Sequence, residues 1–261
     1  MRALLASPFG FLIGLSLGAV GGGGSILAVP VLVYIAGQTP KAATTTSLVI
    51  VAISALAGIP AAARSGRVRF VPGLIFGAVG VGGSLLGSHW NARVDSDVLL
   101  LAFSGLMLVA AFAMSRRRTD TTNDASQVCG TETRMRIGPK CLVRVLIAGS
   151  FVGLLTGFFG VGGGFVIVPA LVLALGFSMP VAAGTSLLVI SVNSAVALSS
   201  RWRAGSFEWK VIVPFTIASL SGVLVGTRLA DRVDAGVLTR WFVRLIVVVA
   251  IYTGLRSALA L

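Results

Sequence analysis

Acidic residues are scarce in this sequence. Eight Asp and Glu face 21 Lys and Arg, for a net charge of +13, and only 11% of the 261 residues are charged. Soluble domains average about 25%. The eight acids (Asp95, Asp97, Asp120, Asp124, Glu132, Glu208, Asp231 and Asp234) all lie in polar stretches or at the ends of apolar runs. Carboxylates at mid-membrane depth mark proton relays and cation paths, so neither is expected. The single histidine, His89, sits beside Trp90 at the end of an apolar run and reads as structural. Two cysteines, Cys129 and Cys141, form neither a disulfide framework nor a zinc signature and read as incidental. Carboxylate and imidazole ligands for a metal cargo are missing. Ser84 shares its run with His89, and the surrounding "GGSLLG" is not a nucleophile elbow. No enzyme, no metal site and no cofactor is expected.

What the sequence has in quantity is hydrocarbon. Residues of hydrophobic type make up 56% of the chain, and the mean hydropathy is +0.99. Uncharged apolar runs such as Val98–Ser115 and Val181–Ser199 have the length of membrane-spanning helices. They are continuous, where a β-barrel would show short alternating segments. The fold class is therefore all-α, a polytopic membrane protein with the lipid bilayer as its first partner. The positive charge is a topology signal of membrane loops. No nucleic-acid motif accompanies it, and no nucleic-acid partner is expected. Trp90, Trp202, Trp209 and Trp241 fall at run edges, as interfacial anchors do.

The chain also repeats itself. A shift of 139 positions lays "GLSLGAVGGGGSILAVPVLV" (from Gly14) on "GLLTGFFGVGGGFVIVPALV" (from Gly153). The same shift pairs Thr46-Ser47-Leu48 with Thr185-Ser186-Leu187, Gly83 and Gly87 with Gly222 and Gly226, and "RVDSDVL" with "RVDAGVL". Internal repeats are the habit of secondary transporters. The expected organisation is a first membrane repeat over 1–115, a polar linker over 116–141 and a second repeat over 142–261. Each repeat has about four apolar blocks. Arg2 and the apolar run after it imitate a signal peptide, but that segment belongs to the repeat.

The first block of each repeat is too long for one crossing. Residues 3–36 would reach about 51 Å as one helix, against a hydrocarbon layer of about 30 Å. The glycine clusters are the natural place for a break, which is tolerated at depth only where protein or a wet cavity satisfies the freed backbone. One net crossing per long block gives eight spans and parallel repeats; two give ten and inverted repeats. The basic stretches Arg64–Arg69, the linker and Arg201–Lys210 all look cytoplasmic, which favours eight.

A broken helix points the N-terminus of its continuing half, with free N–H groups and partial positive charge, into the gap. Two such termini plus hydroxyl donors would hold a small anion without a fixed cation. The candidate substrate-binding residues are Gly21, Gly23, Gly24, Ser25, Thr46 and Ser47 in the first repeat. In the second they are Gly160, Gly162, Gly163, Gly164, Thr185, Ser186 and Asn193. The spaced pairs Gly14/Gly18, Gly153/Gly157, Gly83/Gly87 and Gly222/Gly226 read instead as helix-packing positions.

The doubled glycine pattern, which stands in the second repeat as Gly153, Gly157, Gly160, Gly162, Gly163, Gly164 and Pro169, followed by "AAGTSL" from Ala182, resembles the TauE/SafE family. The likeness covers nearly the whole chain apart from the linker. It implies a bacterial inner-membrane permease for sulfite, sulfoacetate or a related small anion, usually an exporter. The first repeat departs from the pattern: Ser25 replaces the last glycine, and "ATTTSL" stands for "AAGTSL". A passive anion channel and a non-transporting membrane scaffold remain as alternatives, and the sequence leaves open whether copies assemble as a homo-oligomer.

Overall fold

A computed structural model describes residues 7–22, 24–25, 28, 31–32, 36–91, 96–116, 139–159, 164–201 and 209–258. Among these residues there are nine helices and no strand: α1 (Ser7–Val20), α2 (Pro40–Arg64), α3 (Phe70–Asn91), α4 (Ser96–Arg116), α5 (Pro139–Phe159), α6 (Gly164–Leu173), α7 (Met179–Arg201), α8 (Trp209–Arg232) and α9 (Ala235–Ala258). Six of them, α2, α3, α5, α7, α8 and α9, are long and apolar enough to cross a bilayer. Large apolar side chains point outward along these helices, among them Leu85, Leu86, Ile147, Ile217 and Val248. Such a surface suits hydrocarbon as its solvent.

Local chemistry sets the helix ends. Thr39 caps α2, its hydroxyl oxygen accepting the Ala42 N–H at 3.4 Å, and Pro40 occupies the first turn, where its missing N–H costs nothing. At the other end Gly66 takes φ +67°. The Gly66 N–H then reaches the Ala63 carbonyl and the Arg67 N–H the Ala62 carbonyl, both at 3.0 Å, which closes the helix with a Schellman turn.

Glycine decides how the helices pack. A Cβ on Gly153 would run into the Gly80 backbone, and one on Gly157 into the Ser84 backbone, so α3 and α5 touch main chain to main chain. The pair α1 and α8 does the same, Gly14 lying on Ser219 and Gly18 on Val223. Adding 139 to Gly14 and Gly18, and subtracting it from Ser219 and Val223, converts the second set of contacts into the first. Phe76 and Phe215, which differ by the same shift, are both fully buried.

The order of these contacts fixes helix direction. Partner numbers rise together between α1 and α8, so those helices are parallel. They also rise together between α2 and α8, where Ser54 meets Ser219 through a 2.8 Å hydroxyl hydrogen bond and Gly58 meets Val223. Hence α1 and α2 run the same way. By the same logic α5 lies parallel to α3, and α3 to α7, through Gly73–Thr185, Gly77–Val192 and Gly80–Asn193. Successive helices that point the same way need a return between them. In the second half α6 lies on that return path; its 10 residues cover about 15 Å.

Among the described residues α1 and α2 thus point the same way, as do α5 and α7, which disagrees with the expectation of one net crossing per long block. Hydropathy could not see this, because a half-helix joined to a full one reads as a single apolar run. The basic loops are corrected with it. The stretch 64–69 joins α2 to α3 at the face where α7 begins, whereas Arg201 ends α7 at the other. They cannot share a side. Cys141 is also no incidental thiol but is disulfide-bonded. The other cysteine of the sequence, Cys129, lies outside the described residues.

Candidate functional site

The chain turns at the end of α1 on Gly21, whose φ of +84° is one that a side chain would strain. Its N–H still donates to the Leu17 carbonyl at 2.9 Å. A Cβ at Gly21 would strike the Ser186 hydroxyl and come within 2.8 Å of the Ala183 Cα, so this turn is pressed onto α7. The next residue, Gly22, has its backbone against Gly164, the first residue of α6. Ser25 completes the contact. Its hydroxyl donates to the Gly22 carbonyl at 2.8 Å and occupies the space that a Cβ on Gly164 would need.

The structure thus brings together Gly21, Ser25, Gly164 and Ser186 of the expected set, from both halves of the sequence. Gly24 is turned away, onto Ile13 and Leu17 of α1, and packs rather than lines the junction. Gly23, Gly160, Gly162 and Gly163 lie outside the described residues.

The hydroxyls divide by what they already do. Ser186 is fully buried and donates to the Ala183 carbonyl at 2.8 Å. Ser47 donates to the Thr44 carbonyl at 2.9 Å. Bonds of this kind to the preceding turn are the usual occupation of a serine in an apolar helix. Thr185 accepts the Arg69 backbone N–H at 3.1 Å, which ties it to the turn between α2 and α3. Thr46 is 1% exposed, and its hydroxyl has no hydrogen-bond partner.

Asn193 stands out. It lies seven residues, or about two turns, beyond Ser186 on the same stripe of α7 as Ala183, Ser186 and Ile190. Its side-chain oxygen is buried and unpartnered, beside the bare backbone of Gly80. Buried polar groups almost always find a partner, and a buried amide left open is the kind of group that a ligand would complete. The Thr156 hydroxyl on α5 is open in the same way. Sequence reasoning missed Gly22 and Thr156. Gly22 falls within the first glycine run, and a lone threonine three residues before the end of α5 carries no pattern.

The electrostatics of the junction come from the backbone. Among the described residues, the atoms nearest a Cβ at Gly21, Gly22 or Gly164 are backbone, hydroxyl and hydrocarbon. The first-turn N–H groups of α6 have no carbonyl within their own helix and carry its positive dipole end. Among the described residues no three His, Cys, Asp or Glu gather as a metal site would require. A cavity of about 450 Å³ lies elsewhere, between α4, α5 and α6, and is lined by carbon-rich side chains such as Leu106, Phe151, Val166 and Pro169. Its lining is hydrocarbon except for Arg144. At the glycine junction the two backbones meet, and the gap is closed.

The sequence is similar to those of known membrane proteins. The family model described as "Sulfite exporter TauE/SafE" matches residues 6–253. A "Probable membrane transporter protein" of Xylella fastidiosa (strain 9a5c) is 37% identical over 251 residues, 95% of this chain and 93% of the relative. The Bacillus subtilis (strain 168) "Probable membrane transporter protein YunE" is 27% identical over 266 residues, 96% of this chain and 93% of that one. No solved structure matches. The chain belongs to the TauE/SafE family of membrane transporters.

Proposed function

We propose that this protein is a secondary carrier of a small anion, of the class of sulfite, sulfoacetate and related organosulfur or oxyanions. It exports that anion across the bacterial inner membrane. The observation that carries the reading is the junction of Gly21, Gly22 and Ser25 with Gly164 and Ser186, where two interrupted helices from opposite halves meet through backbone and hydroxyl groups. On this reading the two halves, 1–115 and 142–261, are inverted repeats joined by the linker 116–141. Separating the halves by a few ångströms opens a gap lined by half-helix N–H groups, the Ser186 hydroxyl and the Asn193 amide. Thr46, Ser47 and Thr185 stand near it in sequence. A negative cell interior favours expulsion of the anion by about 2.3 kcal/mol per charge per 100 mV.

The closed junction favours a carrier over a passive channel. A channel would hold a continuous path, whereas backbone contact between Gly22 and Gly164 suits an occluded state.

Binding tests the reading. Sulfite or sulfoacetate should raise the thermal midpoint of the purified protein in a saturable way, the stabilisation reaching about 2.7 kcal/mol at a hundred times Kd. Asn193→Leu should remove the shift while leaving the ligand-free midpoint within a few degrees. A shift of equal size in that variant, or none in the parent protein, would overturn the proposed site.

A further inference from the structure

The turn between α2 and α3 is held down by charge. Arg67 lies there with its side chain 8% exposed, its Nε 2.8 Å from a carboxylate oxygen of Asp231 near the end of α8. The contact is one of charge rather than an aligned hydrogen bond. A guanidinium N–H also donates to the Thr227 carbonyl at 2.8 Å, and the Ser65 hydroxyl donates to the other Asp231 oxygen at 3.0 Å. Burial pushes the Arg67 guanidinium below its ordinary value, and Asp231 opposes that shift. The turn is seated as well as tied. A Cβ on Gly184 would come within 2.7 Å of the Arg67 carbonyl, and the Arg69 N–H binds Thr185. Both partners belong to the segment that leads into Ser186.

The other copy of the repeat does not carry these residues. At the positions related by 139, Ser206 stands for Arg67, Ala92 for Asp231 and Ala204 for Ser65. Thr45 replaces Gly184, adding side-chain bulk where the seated turn demands none. Two halves that share their glycine contacts therefore differ in sequence here. The charge pair, its hydroxyl support and the glycine seat all fall on the same face.

We propose that Arg67 and Asp231 form a latch that closes one face of the protein by pinning the α2–α3 turn to α7 and α8, so that the two faces open at unequal cost. The latch is a positioning device and touches no substrate. It rests on the carrier reading only for its effect on transport, because a bias between the two faces exists with or without a ligand. Removing Asp231 would leave the buried Arg67 guanidinium uncompensated, and the freed turn would then sample open states.

Hydrogen exchange of the purified full chain in lipid nanodiscs tests this without any substrate. In Asp231→Asn and Arg67→Gln, amides of 58–70 and 222–232 should exchange about tenfold or more faster than in the parent protein. Amides of 40–50 and 195–201, at the other face, should slow as that face closes. Arg67→Lys, which keeps the charge, should exchange more slowly than Arg67→Gln. The latch is overturned if the 58–70 and 222–232 amides do not change, or if both faces loosen together. Equal rates in the Lys and Gln variants would also overturn it, since Arg67 would then act through bulk alone. Reciprocal exchange in a protein that moves none of the tested anions would leave the latch standing and remove the proposed substrate class.

Discussion

Gly22→Val is expected to reduce anion flux at least about a hundredfold, the loss that a misplacement of about 1 Å in a positioned site can cause. The added Cβ meets the carbonyl of Gly164 and the N–H of Phe165, and the structure is main chain on both sides of the contact. Main chain cannot rotate out of the way as a flexible side chain would. The start of α6 must shift, and with it the N–H groups that are proposed to face the anion. Overpacking at such a point costs about 1–3 kcal/mol, which lowers the midpoint of unfolding without abolishing the fold. Proteoliposome flux measured beside thermal unfolding separates the two effects. Gly105→Ala is the matched control. Nothing lies within 4 Å of its added Cβ, and replacing a mid-helix glycine by alanine is worth up to about 1 kcal/mol in its favour.

Gly153→Leu is expected to fail earlier, at folding. Its Cβ would stand 2.6 Å from the Gly80 Cα and overlap the Gly80 carbonyl. The α3–α5 contact depends on this approach along several turns, from Gly149 against Phe76 to Gly157 against Ser84. A leucine would force the helices apart along the seam, and association in a membrane relies on such close packing. The variant should lose its monodisperse peak in size-exclusion chromatography after extraction. Gly82→Leu, on the partner helix α3 with open space around it, should keep that peak. A folded Gly153→Leu protein would show that the seam tolerates separation.

These two variants mark what could be read from sequence and what could not. The spaced glycine pairs were legible as packing positions because their spacing is that of one helix face, and Gly14, Gly18, Gly153 and Gly157 all take that role. The family was legible from the glycine pattern and the "AAGTSL" segment. The direction of the helices was not. Hydropathy reports how much apolar chain there is, while polarity depends on which backbone lies against which. The site was legible in part. Gly21, Ser25, Gly164 and Ser186 come together because the same breaks that end a helix also allow two backbones to touch. Thr185 shows where the reading falls short. Its hydroxyl sits beside that of Ser186 in sequence, yet a residue from the other half, Arg69, occupies it. Such an assignment depends on a contact 116 residues away along the chain. Periodicity within one helix carries no trace of it.

The central claim is that the closed junction between the two halves opens around a small anion and carries it across the membrane. Uptake of labelled sulfite, sulfate and sulfoacetate into proteoliposomes tests it most directly, once with a pH gradient and once with a potassium-set potential. The account predicts saturable flux of at least one sulfur oxyanion, driven by one of the two gradients and lost in Gly22→Val. Flux of all three no greater than in protein-free liposomes would contradict it.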